Sequence, residues 1–402
     1  MPWKESCHVN ERMRFVTRLE EGEGMAELCR EFGISRKTGY KFLSRFKQLG
    51  PIGLFDRPPI AERIPHRTSA ALVERVVEAR GEHPTWGARK LRGWLLEKEP
   101  QLRLPAASTM GEWLHKRGLL QPRRPRQRVP PSLHRLQNVG APNELWCADF
   151  KGQFRLGNGR YCYPLTITDA HSRYVLGCEA LDDTRGEAAK AVFELTFREV
   201  GLPSRIRTDN GAPFATRGLA GLSRLSVWWM RLGIEHERIE PGHPEQNGRH
   251  ERMHRTLKAE TTRPAASTAL QQQERFDRFV AVFNHERPHE ALGQRPPSTV
   301  YAPSQRLYPE RLPEPEYPLH DDTLMVSRCG HIRMGGRRGF RVFLAVSLAA
   351  ELVGIRELQG GRWLVSFSGL DLGVFDQNGR LDPTPSPVIS SNLKEPVQTD
   401  PT

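Results

Sequence analysis

Leu145-Trp146-Cys147-Ala148-Asp149-Phe150 is the stretch on which the reading of the fold turns. A short apolar run closed by one acid reads as a buried strand that delivers a single carboxylate. A second short strand, Ser204-Arg205-Ile206-Arg207-Thr208, ends on Asp209 and is followed by Asn210-Gly211. A third acid, Glu251, falls on a helix opened by Pro244-Glu245-Gln246-Asn247-Gly248. Carboxylates are the hard oxygen ligands of divalent cations, and phosphoryl transfer on nucleic acid uses two such cations about 3.5–4 Å apart. Asp149, Asp209 and Glu251 are therefore the candidate catalytic and metal-binding residues.

The charge balance points to where the phosphate comes from. Sixty Lys and Arg stand against 47 Asp and Glu, a net charge of +13. Such an excess favours a polyanionic partner, nucleic acid first, because counterion release drives the binding. The six cysteines (Cys7, Cys29, Cys147, Cys162, Cys178, Cys329) are scattered and form no CxxC pair. They suit reduced thiols in a cytoplasmic protein, with neither a disulfide framework nor a zinc knuckle. Residues 1–10 lack the apolar core of a signal peptide, and no apolar run approaches the length of a membrane span.

Toward the N-terminus the pattern becomes helical. In Met25-Ala-Glu-Leu28-Cys29-Arg-Glu-Phe32 the apolar positions recur at i, i+3, i+4 and i+7, Gly33-Ile34 makes a turn, and Ser35 suits an N-cap. The next helix, 36–47, is expected to bury Tyr40, Leu43 and Phe46 while presenting Arg36, Lys37, Lys41 and Arg45 to DNA. Helix, glycine turn and basic helix make a helix-turn-helix module over 1–60. A second helical module of similar kind spans 61–120, its last helix running over 107–116. A basic linker, 121–142, carries Arg123, Arg124 and Arg126 and can lie along phosphates.

Strands and helices alternate from 143 to 302, with a hairpin expected to turn at 169–172, which implies a mixed sheet flanked by helices. Asp169 reads as the cap of that hairpin turn. A proline-rich spacer over 303–318 leads to short β-like runs over 319–380, as in a small barrel or meander. Residues 381–402, rich in Pro, Ser and Thr, are expected to be disordered.

Four blocks carry a resemblance. Trp146-Cys-Ala-Asp149, Thr208-Asp209-Asn210-Gly211 and Asn247-Gly248-Arg-His-Glu251-Arg252-Met-His-Arg-Thr-Leu257-Lys258 resemble the three signatures of the integrase core in DDE transposases. Phe283-Asn284-His-Glu-Arg287-Pro288-His289-Glu-Ala-Leu292 resembles the segment that follows the core in the bacterial insertion-sequence branch. The resemblance implies a ribonuclease-H-like α/β core between all-α helix-turn-helix modules and a small all-β domain. It implies two Mg²⁺ or Mn²⁺ ions, with Asp149 bridging both and Asp209 and Glu251 each completing one site. It also implies cleavage at the ends of an element and joining to target double-stranded DNA, by a homodimer or higher homo-oligomer. Arg255 and Lys258 share the helical face of Glu251 and suit phosphate contacts.

Two departures accompany it. Forty-one residues separate Asp209 from Glu251, and Glu245, after 35, fits the family's usual spacing better. Glu251 is preferred because the motif places its glutamate after the Asn-Gly pair, and 218–224 can hold the additional residues. The His/Cys zinc domain of retroviral relatives has no counterpart, so end recognition falls to the helical modules. Rival readings remain. His250-Glu251-Arg252-Met253-His254 spells the H-E-x-x-H pattern of zinc metalloproteases, with both imidazoles on one helical face. A DNA-binding regulator with an inactive core, or a nuclease that cuts without joining, also fits.

Overall fold

A computed structural model describes residues 8–56, 68–120, 139–240, 248–335 and 339–382. The chain divides into two units, Met1–Ser69 and Ala70–Thr402. Arg123, Arg124, Arg126 and Glu245 lie outside the described residues, as do 383–402.

In the first unit, α1 (His8–Glu20), α2 (Met25–Glu31) and α3 (Arg36–Leu49) are followed by a 3₁₀ turn, Gly50–Leu54. They enclose Phe15, Val16, Leu28, Cys29, Phe42 and Leu54. Ser35 caps α3, its Oγ accepting from Thr38 N at 3.1 Å. One expectation is corrected. Tyr40 is 58% exposed, and the inward positions of α3 are Gly39, Phe42, Leu43 and Phe46. Gly39 faces inward in place of Tyr40 because it lets the helices approach closely: a Cβ there would lie 2.8 Å from Met25 Sδ and 2.9 Å from Cys29 Sγ. Tyr40 thereby joins Arg36, Lys37 and Lys41 at the surface, while Arg45 is half-buried.

The second unit begins with α4 (Ala70–Glu82), α5 (Ala88–Lys98) and α6 (Ala107–Lys116), packed around Val76, Trp86, Leu91, Trp94 and Leu114. The mixed sheet follows: β1 (Leu145–Phe150), β2 (Phe154–Arg155), β3 (Tyr161–Asp169), β4 (Val175–Leu181), β5 (Arg205–Thr208) and β6 (Glu235–Arg238). Its order is β2-β3-β1-β5-β6, with β4 also on β3. Antiparallel β1–β3 adjoins parallel β1–β5 and β5–β6.

Side-chain alternation along β1 sends Trp146 and Ala148 to one face and Leu145, Cys147 and Asp149 to the other. The first face packs on α7 (Gly186–Val200) and α8 (Arg224–Arg231) through Phe193, Phe197, Trp228 and Trp229. Each buried phenylalanine there contributes about 1.5–3 kcal/mol. The second face is covered by α9 (Gly248–Thr261) and α10 (Ala269–His285) through Met253, Leu257, Phe276 and Phe279.

Strands β7 (Asp322–Met325), β8 (His331–Met334), β9 (Phe340–Phe343), β10 (Leu352–Leu358), β11 (Arg362–Phe367) and β12 (Leu370–Phe375) form the C-terminal part. They make a four-stranded sheet, β12-β11-β10-β7, and a β8–β9 hairpin. Their core takes in Leu222 and Val227, so stretch 218–224 is where this part rests on the helical layer of the mixed sheet. The expected spacer over 303–318 is instead a strap. Ser304 N donates to Val200 O at 2.8 Å, the Arg306 guanidinium donates to Pro203, Leu232 and Gly233 carbonyls, and Tyr317 OH donates to Leu352 O at 2.6 Å. Proline removes backbone donors but leaves carbonyls free, and Arg231 donates to Pro313 O at 2.9 Å.

Candidate active site

Parallel pairing of Cys147 with Arg207 sets the register of β1 and β5, and Asp149 and Asp209 each follow two residues further along their chain segments. The turn after β5 explains Asn210-Gly211. Gly211 N donates to Asp209 Oδ1 at 3.1 Å, and a Cβ on Gly211 would meet Asp209 Oδ2 at 3.1 Å. Asn210 Nδ2 ties the turn to Ile239 O at 2.8 Å. Glu251 is exposed in the first turn of α9.

The three acids share one electric field. Burial, followed by the negative charge of Asp209 and then that of Glu251, pushes the Asp149 carboxyl up to about 7. Lys151, two residues past Asp149, has its ammonium pulled down by burial and by Lys258, with Asp149 and Glu251 opposing. Lys258 therefore belongs to this neighbourhood, and Lys151 is a residue that the motif reading missed. Its signal was period-two spacing from Asp149. Arg255 is exposed on the same helix.

Behind Asp149 lies a buried polar network. His254 Nε2 and His250 Nε2 hydrogen-bond Thr166 Oγ1 at 2.6 and 2.7 Å, and His250 Nδ1 hydrogen-bonds Thr168 Oγ1 at 2.8 Å. His254 Nδ1 faces Asp149 Oδ2 at 3.8 Å. Thr166 pairs with Asp149 across β1–β3, so the network sits directly under the carboxylate. Burial drives both imidazoles down, His250 to about 3 and His254 to about 2, which keeps them neutral. This occupies both nitrogens of His250 and leaves the zinc-protease reading of H-E-x-x-H without its paired ligands.

Among the described residues, no three His, Cys, Asp or Glu side chains are gathered to hold one metal ion. The crowding of Asp149 by two further carboxylates is the feature that fits a dication. Asp169, by contrast, is a turn cap: its oxygens accept from Asn143 N, Ser172 N and Ser172 Oγ at 2.6–2.8 Å.

Residues 140–244 and 232–297 each match an integrase core domain family. Residues 11–59 match a helix-turn-helix domain, and 38–114 a homeodomain-like domain. The chain is 27% identical over 240 residues to a 39.2 kDa protein of insertion element IS476 from Xanthomonas euvesicatoria, covering 60% of this chain and 67% of that protein. It is 28% identical over 241 residues to a 31.7 kDa protein of insertion element IS407 from Burkholderia multivorans, covering 59% and 83%. A stretch of 186 residues, 46% of this chain, is 30% identical to 10% of the Gag-Pol polyprotein of baboon endogenous virus. The fold and these matches define the class, a helix-turn-helix protein with an integrase core. Within that class the chain is similar to these proteins of bacterial insertion elements.

Proposed function

We propose that this protein cuts the ends of its own element and joins them to target DNA, with Asp149, Asp209 and Glu251 as the catalytic triad. The observation that carries this reading is the placement of Asp149 at the end of β1, Asp209 just after the neighbouring parallel β5 and Glu251 in the first turn of α9, near enough for the charges of the latter two to raise the Asp149 carboxyl. Asp149 would be a ligand together with Asp209, which follows the neighbouring strand β5, and with Glu251 from α9. Two divalent cations, Mg²⁺ or Mn²⁺, would supply activation of the attacking oxygen and stabilisation of the leaving 3′ oxygen. With those cations bound, Asp149 would be deprotonated at neutral pH, its carboxylate lying beside His254 Nδ1. Lys151 and Lys258 offset the phosphate charge, and α3 with Arg36, Lys37 and Lys41 binds duplex DNA. Pairing two ends calls for at least two protomers.

The test uses DNA flanking the reading frame. Asp149→Asn should abolish metal-dependent cleavage and joining while leaving end binding within a few-fold of wild type. Wild-type protein that binds these ends yet never cuts with either metal would favour the regulator, and cutting without joining would favour a nuclease.

A further inference from the structure

A cavity of about 680 Å³ opens between α5, the start of α9, the start of β1 and the 287–291 segment. None of Asp149, Asp209 and Glu251 lines it. Its wall is cationic, with Lys90 from α5, Arg173 from the β3–β4 turn, Arg249 and Arg252 from α9, and Arg287 beyond α10. Arg287 is matched by Glu260 at 2.7 Å. The two acids on the wall are engaged elsewhere, Asp169 with backbone and hydroxyl donors and Glu290 with Arg89 at 3.1 Å.

Lys90, Arg173, Arg249 and Arg252 thus face the cavity without a carboxylate at ion-pair distance among the described residues. Lys90 donates to Pro288 O and Arg173 to Ala170 O, both neutral acceptors. The cations feel one another. Arg173 is held down to about 10 by burial and then by Arg249, with Arg252 adding to it. Gathering like charges in a partly dehydrated hollow costs free energy that an anion would recover.

We propose that this cavity is a phosphate-binding site that grips the DNA backbone between the second helical module and the catalytic acids. The placement supports that path. α5 and the 288–294 segment are in direct contact, since a Cβ on Gly93 would lie 3.4 Å from Pro288 Cβ and 3.2 Å from Gln294 Cβ. Arg249 and Arg252 flank Glu251 on α9, so one helical turn carries both the grip and the third acid. The Phe283–Leu292 motif gains a role here. Its Arg287-Pro288-His289 stretch docks the helical module and forms one wall of the cavity.

The inference rests on the transposase reading, and binding measurements separate the two. In an Asp149→Asn background, affinity for a short duplex of arbitrary sequence is followed against salt by fluorescence anisotropy. Each lost phosphate contact lowers the slope of log K against log[salt] by about 0.9. Arg173→Met with Arg249→Ser should lower it by about 1.8. Should Arg173→Met fail to fold, Arg249→Ser with Arg252→Ser, both at exposed positions, carries the same test. An unchanged slope in a folded variant overturns the proposal, even where inorganic phosphate raises the wild type's melting temperature, which would mark a site for small anions only. A wild type that binds no duplex overturns both this proposal and the transposase reading.

Discussion

His254 holds Thr166 Oγ1 with its Nε2 at 2.6 Å and turns Nδ1 toward Asp149 Oδ2 at 3.8 Å. Each threonine hydroxyl has one proton to give. Two proton orders satisfy the three short contacts, and the Asp149 carboxylate facing His254 Nδ1 selects the one that runs from Thr168 O–H to His250 Nδ1, from His250 Nε2–H to Thr166, and from Thr166 O–H to His254 Nε2. The longer contacts, Thr166 to Asp149 O at 3.1 Å and Thr168 to Cys147 O at 3.5 Å, lose the competition. His254 then presents Nδ1–H to the carboxylate and acts as a positioning residue. Asparagine reproduces a donor near Nδ1, whereas glutamine reproduces one near Nε2. His254→Asn should keep Mn²⁺ affinity near wild type, while His254→Gln should lose about 10–100-fold. The ¹⁵N spectrum of His254 should show the Nδ1–H tautomer, and an Nε2–H tautomer at that residue would contradict the chain.

The same burial makes the fold sensitive to acid. His236, His250, His254 and His289 are depressed to about 4, 3, 2 and 3, in each case chiefly by desolvation. A group whose folded value lies below its unfolded one of about 6.5 contributes stability above that pH. That stability is lost as pH falls toward the folded value. Unfolding free energy should therefore drop from pH 6.5 downward, on the order of 1–2 kcal/mol per buried imidazole by pH 5. Denaturant titrations across that range check it, and His250→Asn should flatten the profile. A level profile from pH 6.5 to 5 would contradict the neutral network.

How far the sequence could be read follows the range of each interaction. Asp149 and Asp209 were visible because strand-end acids are written locally, in an apolar run and an Asn-Gly turn. The helices of both N-terminal modules were visible from 3.6-residue periodicity. The partners of His250 and His254 were not, because Thr166 and Thr168 lie more than 80 residues away in the chain. Tyr40 was misplaced because periodicity alone does not reveal that Gly39 is the closest approach. The 303–318 strap was hidden because its hydrogen bonds use carbonyls that any residue type supplies. Lys151 was visible as a charge but not as a neighbour of the acids.

In the first unit the two sides of α3 should separate cleanly. Gly39→Val would drive its Cβ into Met25, Cys29 and Phe15 and should cost about 1–3 kcal/mol, read as a lower melting temperature. Tyr40→Ala removes an exposed ring beside three cations and should leave stability within about 0.5 kcal/mol. Binding to duplex DNA should weaken in Tyr40→Ala at matched salt. Equal binding by that variant would remove Tyr40 from the DNA-facing surface.

The central claim is that carboxylates from β1, β5 and α9 work as one site. Cleavage of the element's end should be measured for Asp149→Asn, Asp209→Asn, Glu251→Gln, their pairs, and Glu245→Gln as a control, with DNA binding followed alongside. Residues acting as a unit give non-additive losses. Each single change at Asp149, Asp209 or Glu251 should therefore abolish cleavage about as fully as any pair, with binding retained and Glu245→Gln active. Additive losses, or an active Glu251→Gln beside an inactive Glu245→Gln, would contradict the account.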